Sequence, residues 1–295
     1  MEKHSLYIHI PFCTHRCGYC DFNTFEGLES LIPQYVEALK VELKFIAWSK
    51  SYSIPIHTIY FGGGTPSLLT TDQIKSIIDC VNHEFDISPE TEITLEVNPG
   101  SVNRKFFFDL IDTGVNRLSL GVQSANQNEL ILLEREHGFA EAKIAVENAK
   151  LAGFNNISLD LIYGLPYQTL EEWQYSVDKI LTLSPEHISL YSLTIEHGTP
   201  MEKKILSGEL DLPDSDRTAD MYDWTILHLA RNNFVQYEIS NWGLKLKDGQ
   251  YMASSHNIQY WKNLPYFGVG AGAHGFAGGV RTNNVLSPSA YIDRG

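Results

Sequence analysis

Strand-like and helix-like segments alternate in strict order from Ser5 to about Ala230, and that order admits few architectures. Six stretches carry the alternation and β-branched content of strands: SLYIHI from Ser5, TIYF from Thr58, EITLEV from Glu92, RLSLGV from Arg117, ISLDLIY from Ile157 and HISLYSL from His187. A helical pattern follows each: Pro33 to Trp48, Asp72 to His83, Arg104 to Thr113, Ala140 to Ala152, Leu170 to Leu181, and about Asp214 to Ala230. Such alternation gives parallel strands joined by right-handed crossovers. Six units are too few for a closed eightfold barrel, so the expected class is α/β, as an open partial barrel or a doubly wound sheet. Both architectures bind ligands at the carboxyl ends of the strands. Unusual residues gather there: Gly62, Gly63 and Gly64 after the second strand, Glu96, Asn98 and Pro99 at the third, and Gln123 at the fourth. Asp160 lies within the fifth.

The alternation stops after about Tyr237. The segment 237–295 is rich in aromatics, Gly and Asn and contains SSHNIQYW and GVGAGAHGFAGG. It reads as an extension, a lid or the start of a further region, beside a barrel spanning 1–236.

Composition narrows the function. The 295 residues carry 22 Lys+Arg against 36 Asp+Glu, a formal net charge of -14, with no basic run suited to neutralising phosphates. Nucleic acid is therefore not expected as a partner. The N-terminus MEKHSLYIHIPFC lacks the apolar core and cleavage site of a signal peptide, and no run of about 18 apolar residues predicts a membrane span. Three of the four cysteines fall within eight residues, which is no disulfide framework. In a cytoplasmic protein, the expected location, such grouping points to metal or redox chemistry.

The cysteine segment HIPFCTHRCGYCDF follows the first strand directly, with Cys13, Cys17 and Cys20 spaced C-x3-C-x2-C. Thiolates ligate soft iron and zinc, and close spacing lets one loop wrap one centre. Three ligands on a four-iron cube leave one iron open to a chelating small molecule. A zinc site completed by His15 or His9 is the alternative that spacing alone leaves open. Cys80, on a helical pattern, reads as a core residue.

With Tyr19 before its last cysteine, the loop resembles that of the radical S-adenosylmethionine (SAM) superfamily. HIPFC, YFGGGTPS, EVNPGS, LSLGVQS, DLIYGLP and HNIQYW occur in the order seen in the oxygen-independent coproporphyrinogen III oxidase-like family. The resemblance covers nearly the whole chain and implies a partial (β/α)6 barrel, a [4Fe-4S] cluster on Cys13, Cys17 and Cys20, and bound SAM. In the superfamily, the reduced cluster donates an electron to the sulfonium of SAM and releases a 5'-deoxyadenosyl radical. Matched residue by residue, Gly62, Gly63, Gly64 and Thr65 would bring backbone close to the methionine ammonium. Glu96 would accept from the methionine amino group, and Arg135 would pair with its carboxylate. Gln123 and Asp160 would hold the ribose hydroxyls, while Tyr7 and Tyr19 would lie near the cluster and adenine.

Two branches of the family compete. Coproporphyrinogen III oxidases carry a further cysteine two residues after the third cluster cysteine, where this chain has Phe22. HNIQYW matches the HNxxYW motif of the heme-chaperone branch. Heme or a related tetrapyrrole, and an acceptor protein of unknown identity, are the partners this implies. His256 is the candidate heme ligand, with His274 a second; Tyr260, Trp261 and Tyr266 are candidate walls. The oxidase, and a non-catalytic metal-binding module, are the alternatives. The resemblance further implies a C-terminal region beyond Gly295, so the sequence is expected to be truncated.

Overall fold

A computed structural model describes residues 3–49 and 53–294. Six parallel strands form its centre: β1 (His4–Ile10), β2 (Pro55–Gly63), β3 (Asp86–Val97), β4 (Arg117–Gln123), β5 (Ile157–Tyr163) and β6 (His187–Ser192). They stand side by side in chain order. This is the partial (β/α)6 barrel, and the six strands fall where alternation predicts them.

Helices α1 (Ile32–Trp48), α2 (Thr71–Glu84), α3 (Arg104–Ile111), α4 (Gln127–Leu132), α5 (Phe139–Ala152), α6 (Leu170–Leu181), α7 (Pro200–Leu206) and α8 (Ser215–Arg231) belong to the crossovers and to the stretch after β6. Their starts are written locally. Thr70 and Gln73 form a capping box at α2, and Thr169 and Glu172 do so at α6.

The barrel strands are apolar on one face only. Leu6, Ile8, Ile59, Phe61, Leu95, Leu118, Leu120, Leu159 and Ile188 are fully buried in the main core with the helices. The alternate residues, Ser5, Thr58, Thr94, Arg117, Ser119, Ser158, Asp160, His187 and Ser189, turn to the lumen. Their hydroxyls bond between neighbouring strands, as in Thr58 to Ser5 at 2.6 Å and Ser119 to Asp160 at 2.7 Å. The barrel therefore encloses a polar interior rather than a second apolar core.

The segment beyond residue 236 returns to the same sheet. Strand β7 (Phe234–Gln236) pairs with β8 (Asn241–Leu244), which lies antiparallel on β6. Strand β9 (Tyr266–Val269) runs parallel to β1 on the opposite edge, followed outward by β10 (His274–Ala277) and β11 (Val280–Asn283). Between the two edges, the chain crosses the lumen as helix α9 (Ser255–Trp261), and α10 (Pro288–Ile292) packs on α1. No described helix is long and apolar enough to cross a membrane.

Candidate cluster and cofactor site

The cysteine loop leaves β1 at the carboxyl end of the sheet. Phe12–Cys13 pairs with Phe25–Glu26, and the Phe25 N–H donates to the Pro11 carbonyl at 2.7 Å, which closes the loop at its base. Inside it, the Cys20 N–H donates to the Cys17 carbonyl at 3.0 Å. Cys13 is buried, and Cys17 and Cys20 are partly so. Burial pushes the Cys13 and Cys17 thiols up; the Arg135 guanidinium opposes this at Cys17, and the neighbouring sulfurs reinforce it at both. Thiols in this state keep their protons in the metal-free protein and lose them on binding a soft metal. The loop thus brings together three donors of the type an iron-sulfur cluster takes.

The glycine motif packs directly on this loop. A Cβ at Gly64 would fall 2.6 Å from the Phe12 carbonyl oxygen and 3.0 Å from Cys13 Sγ. Gly63 has φ +116°, and a Cβ there would strike the His9 ring at 2.5 Å. Only glycine lets the backbone come this close. Thr65 Oγ1 donates to Cys13 Sγ at 3.6 Å, so the motif also touches a candidate ligand.

Glu96 projects beside the motif. Its carboxylate accepts from the Tyr60 hydroxyl at 2.8 Å and the Gly63 N–H at 3.1 Å. Burial nevertheless raises its pKa to about 7. Arg135 reaches the same end, with Nη1 at 3.8 Å from Cys17 Sγ and Nη2 at 3.4 Å from both Asn98 Oδ1 and the Gly121 carbonyl. Its Nε is buried with no hydrogen-bond partner within the protein.

Gln123 sits at a register shift between β4 and β5 with φ +67°, a left-handed conformation uncommon outside glycine. The bulge aims its amide over Gly121, where a Cβ would lie 2.8 Å from Nε2. Asp160 lies lower in the lumen, its oxygens accepting from Ser119 at 2.7 Å and Ser158 at 2.9 Å. Tyr7 shares a 2.9 Å hydrogen bond with His9 Nδ1 and stacks on Tyr60 at 6.2 Å. Tyr19 packs against a small cluster of Leu133, Ile162 and Leu165. Burial holds both phenols well above their ordinary value. The carboxyl end thus gathers Cys13, Cys17, Cys20, Gly63, Gly64, Thr65, Glu96, Gln123 and Arg135, with Asp160 deeper.

His256 is elsewhere. It lies on α9, buried, with its ring stacked on Tyr60 at 5.0 Å. Nδ1 lies 2.8 Å from Thr58 Oγ1, and Nε2 lies 3.0 Å from the Tyr260 hydroxyl, the partner four residues on. Thr58 gives its only proton to Ser5, so Nδ1–H donates to Thr58 and Nε2 holds the lone pair facing Tyr260. Burial lowers the His256 pKa to about 3, which keeps the ring neutral. Trp261 is the exposed last residue of this helix, and Tyr266 lies edge-on to Tyr260 at 4.8 Å; His274 is exposed on β10.

Two carboxylates escaped the sequence reading. Glu134, which reads as one charge of a solvated face, clamps the cysteine loop: it accepts the Gly18 N–H at 2.8 Å and pairs with Lys204 at 3.2 Å. Glu92 accepts the backbone N–H groups of Ser255 and His256 at 2.9 and 3.0 Å and so fixes the start of α9. Neither carries a local signature, because each acts on a segment more than 100 residues away.

The family model of the radical SAM superfamily matches residues 7–180. The chain is 40% identical to the heme chaperone HemW of Lactococcus lactis over 291 residues, which cover 99% of this chain and 74% of that protein. It is 38% identical to the heme chaperone HemW of Escherichia coli, covering 98% of this chain and 75% of that one. Among solved structures it resembles the coproporphyrinogen III oxidase HemN of Escherichia coli, with a TM-score of 0.85 at 24% identity over 99% of this chain and 69% of that one, a likeness of fold. The chain belongs to the radical SAM superfamily and, within it, to the HemW family.

Proposed function

We propose that this protein is a heme chaperone, binding heme and handing it to an acceptor protein, and that it carries a [4Fe-4S] cluster and SAM. Superfamily membership implies the cluster and SAM. The observation that carries the heme reading is the 40% identity over 99% of the chain to a protein named as a heme chaperone. The likeness to the coproporphyrinogen III oxidase is one of fold, and Phe22 stands where the oxidases have a further cysteine.

When bound, the cluster and SAM supply one-electron reductive chemistry; the protein's work is to hold and shield them. Cys13, Cys17 and Cys20 are assigned as cluster ligands. Glu96 is assigned to the methionine ammonium and Arg135 to the methionine carboxylate, supported by the unpartnered Arg135 Nε. Gly63, Gly64 and Thr65 supply close backbone beside the cluster loop. Gln123 and Asp160 are assigned to the ribose, and Tyr7 and Tyr19 to the apolar walls.

His256 is assigned as the heme-iron ligand through Nε2. Its neutral ring, with Nδ1–H held by Thr58, is the tautomer a metal takes. Tyr260 occupies that lone pair and must turn away first; the side chain is 39% exposed and has room to do so. Heme titration followed by absorbance tests this. Tyr260→Phe removes the competing hydroxyl and should tighten heme binding, whereas His256→Ala should change the heme spectrum or weaken retention while the cluster stays. An unchanged spectrum and affinity in His256→Ala would remove the assignment.

A further inference from the structure

Below the cofactor end, the barrel lumen holds a cavity of about 190 Å³ whose lining includes Tyr7, Tyr60, Arg117, Ser189, Tyr191 and Asn241. Arg117 is its cation. It enters from β4 at a lumen-facing position and is 2% exposed. Its Nε has no hydrogen-bond partner, and among the described residues it forms no ion pair. The lumen carboxylates do not touch it: Asp160 accepts from Ser119 and Ser158 and feels the Arg117 charge only through space, and Glu96 accepts from Tyr60 and Gly63. The charge is felt all the same. Burial lowers His187 and His256, and Arg117 adds to the lowering at both.

A buried guanidinium is costly unless paired. Arg117 is kept against a cavity with Asp160 acting on it only through space, so a direct counter-charge has room to come from a ligand. The remaining lining is polar: Ser189, Tyr191, Asn241 and Asn257 bring hydroxyl and amide groups to the cavity, where Ser189 bonds to Ser158 and both amides donate to Glu238. The planar guanidinium fork matches a carboxylate in two parallel hydrogen bonds. Tyr191 and Tyr260, 46% and 39% exposed, border the cavity and mark its open side.

We propose that the lumen cavity is a carboxylate-binding site with Arg117 as its anchoring cation. One source of that group is a propionate arm of the tetrapyrrole; the other is a small free carboxylic acid. Only the first rests on the heme-chaperone reading.

The test has a heme-free arm and a heme arm, both on cluster-reconstituted protein. In the first, thermal unfolding is followed with sodium propionate and with propionamide, its uncharged analogue, at constant ionic strength. Propionate should raise the midpoint and propionamide should not. Arg117→Met, which fills similar volume without charge, should abolish the response, and Arg117→Lys should restore part of it. In the second arm, the wild type should bind heme at least about tenfold more tightly than heme dimethyl ester, and Arg117→Met should remove that difference. A propionate response with no heme-to-ester difference assigns the site to a free acid. Absence of any Arg117-dependent carboxylate effect in either arm overturns the proposal. Failure of the wild type to bind heme at all would overturn the chaperone reading and leave the first arm standing.

Discussion

Arg135 stands between a candidate cluster ligand and the cofactor end of the barrel: one arm of its guanidinium lies 3.8 Å from Cys17 Sγ, the other 3.4 Å from Asn98 Oδ1. A positive charge there favours the Cys17 thiolate, against the burial that disfavours it. Asn98 and Gly121 orient the same group, which is proposed to pair with the methionine carboxylate of SAM. Arg135→Ala should weaken SAM binding by about 1.5–3 kcal/mol, or roughly tenfold to a hundredfold. Calorimetry on reconstituted protein measures this, and wild-type affinity in the variant would remove Arg135 from the site.

The cluster assignment separates the four cysteines. Reconstituted protein should hold about four irons per chain, as one thiolate-bound cluster requires. Cys13→Ala, Cys17→Ala and Cys20→Ala should each lose this iron. Cys80→Ala should keep it, since that thiol lies on α2, 3.8 Å from the Lys40 carbonyl and against the core. Iron and sulfide analysis of the four variants decides the matter; a full cluster in all three loop variants contradicts it.

Glu96 sets a pH dependence. Burial raises its pKa to about 7, so in the ligand-free protein it is mostly neutral at pH 6 and mostly ionised at pH 8. A methionine ammonium pairs with the ionised form. SAM affinity should fall as pH drops below 7, by up to about tenfold per unit, and Glu96→Gln should bind weakly with a flattened profile. Unfolding gives the opposite sign: the unfolded chain ionises first, so this group removes stability as pH rises from the ordinary Glu value towards 7. Titration calorimetry across this range checks the first expectation and thermal unfolding the second.

Glu134 holds the cysteine loop from a distance. Burial opposes its ionisation, but Lys204, the Gly18 N–H and His15 outweigh burial and keep the carboxyl below its ordinary value. Its support is therefore present above the ordinary Glu range and lost as pH falls below it. Glu134→Ala should loosen the loop by about 1 kcal/mol, seen as roughly fivefold faster iron release to a chelator. Release at the wild-type rate would show that the clamp does not bear on the cluster.

What the sequence made legible follows from where the information is local. The six barrel strands and their helices alternate in a period that neighbours set, and the outward residues such as Ile8, Phe61 and Leu120 repeat every second position. The cysteine loop and GGGT are short segments whose chemistry sits in adjacent residues. The lumen was not legible. Arg117 reads as one charge at the start of a strand, and only the assembled barrel shows it buried with no hydrogen-bond partner on Nε. The tail hid its place for the same reason: Tyr266–Val269 joins β1 across more than 250 residues, a pairing no local pattern encodes. His256 and Tyr260 were readable as partners because i, i+4 spacing brings them together on any helix, whereas Glu92, which fixes that helix, was not.

The proposed function requires that this chain bind heme and leave coproporphyrinogen III unchanged. Its most direct test is a heme titration paired with porphyrin product analysis on one anaerobically reconstituted, reduced, SAM-containing sample. A heme chaperone should show saturable heme binding and return coproporphyrinogen III intact. Efficient conversion to protoporphyrinogen, with no retained heme, would contradict that function and restore the oxidase.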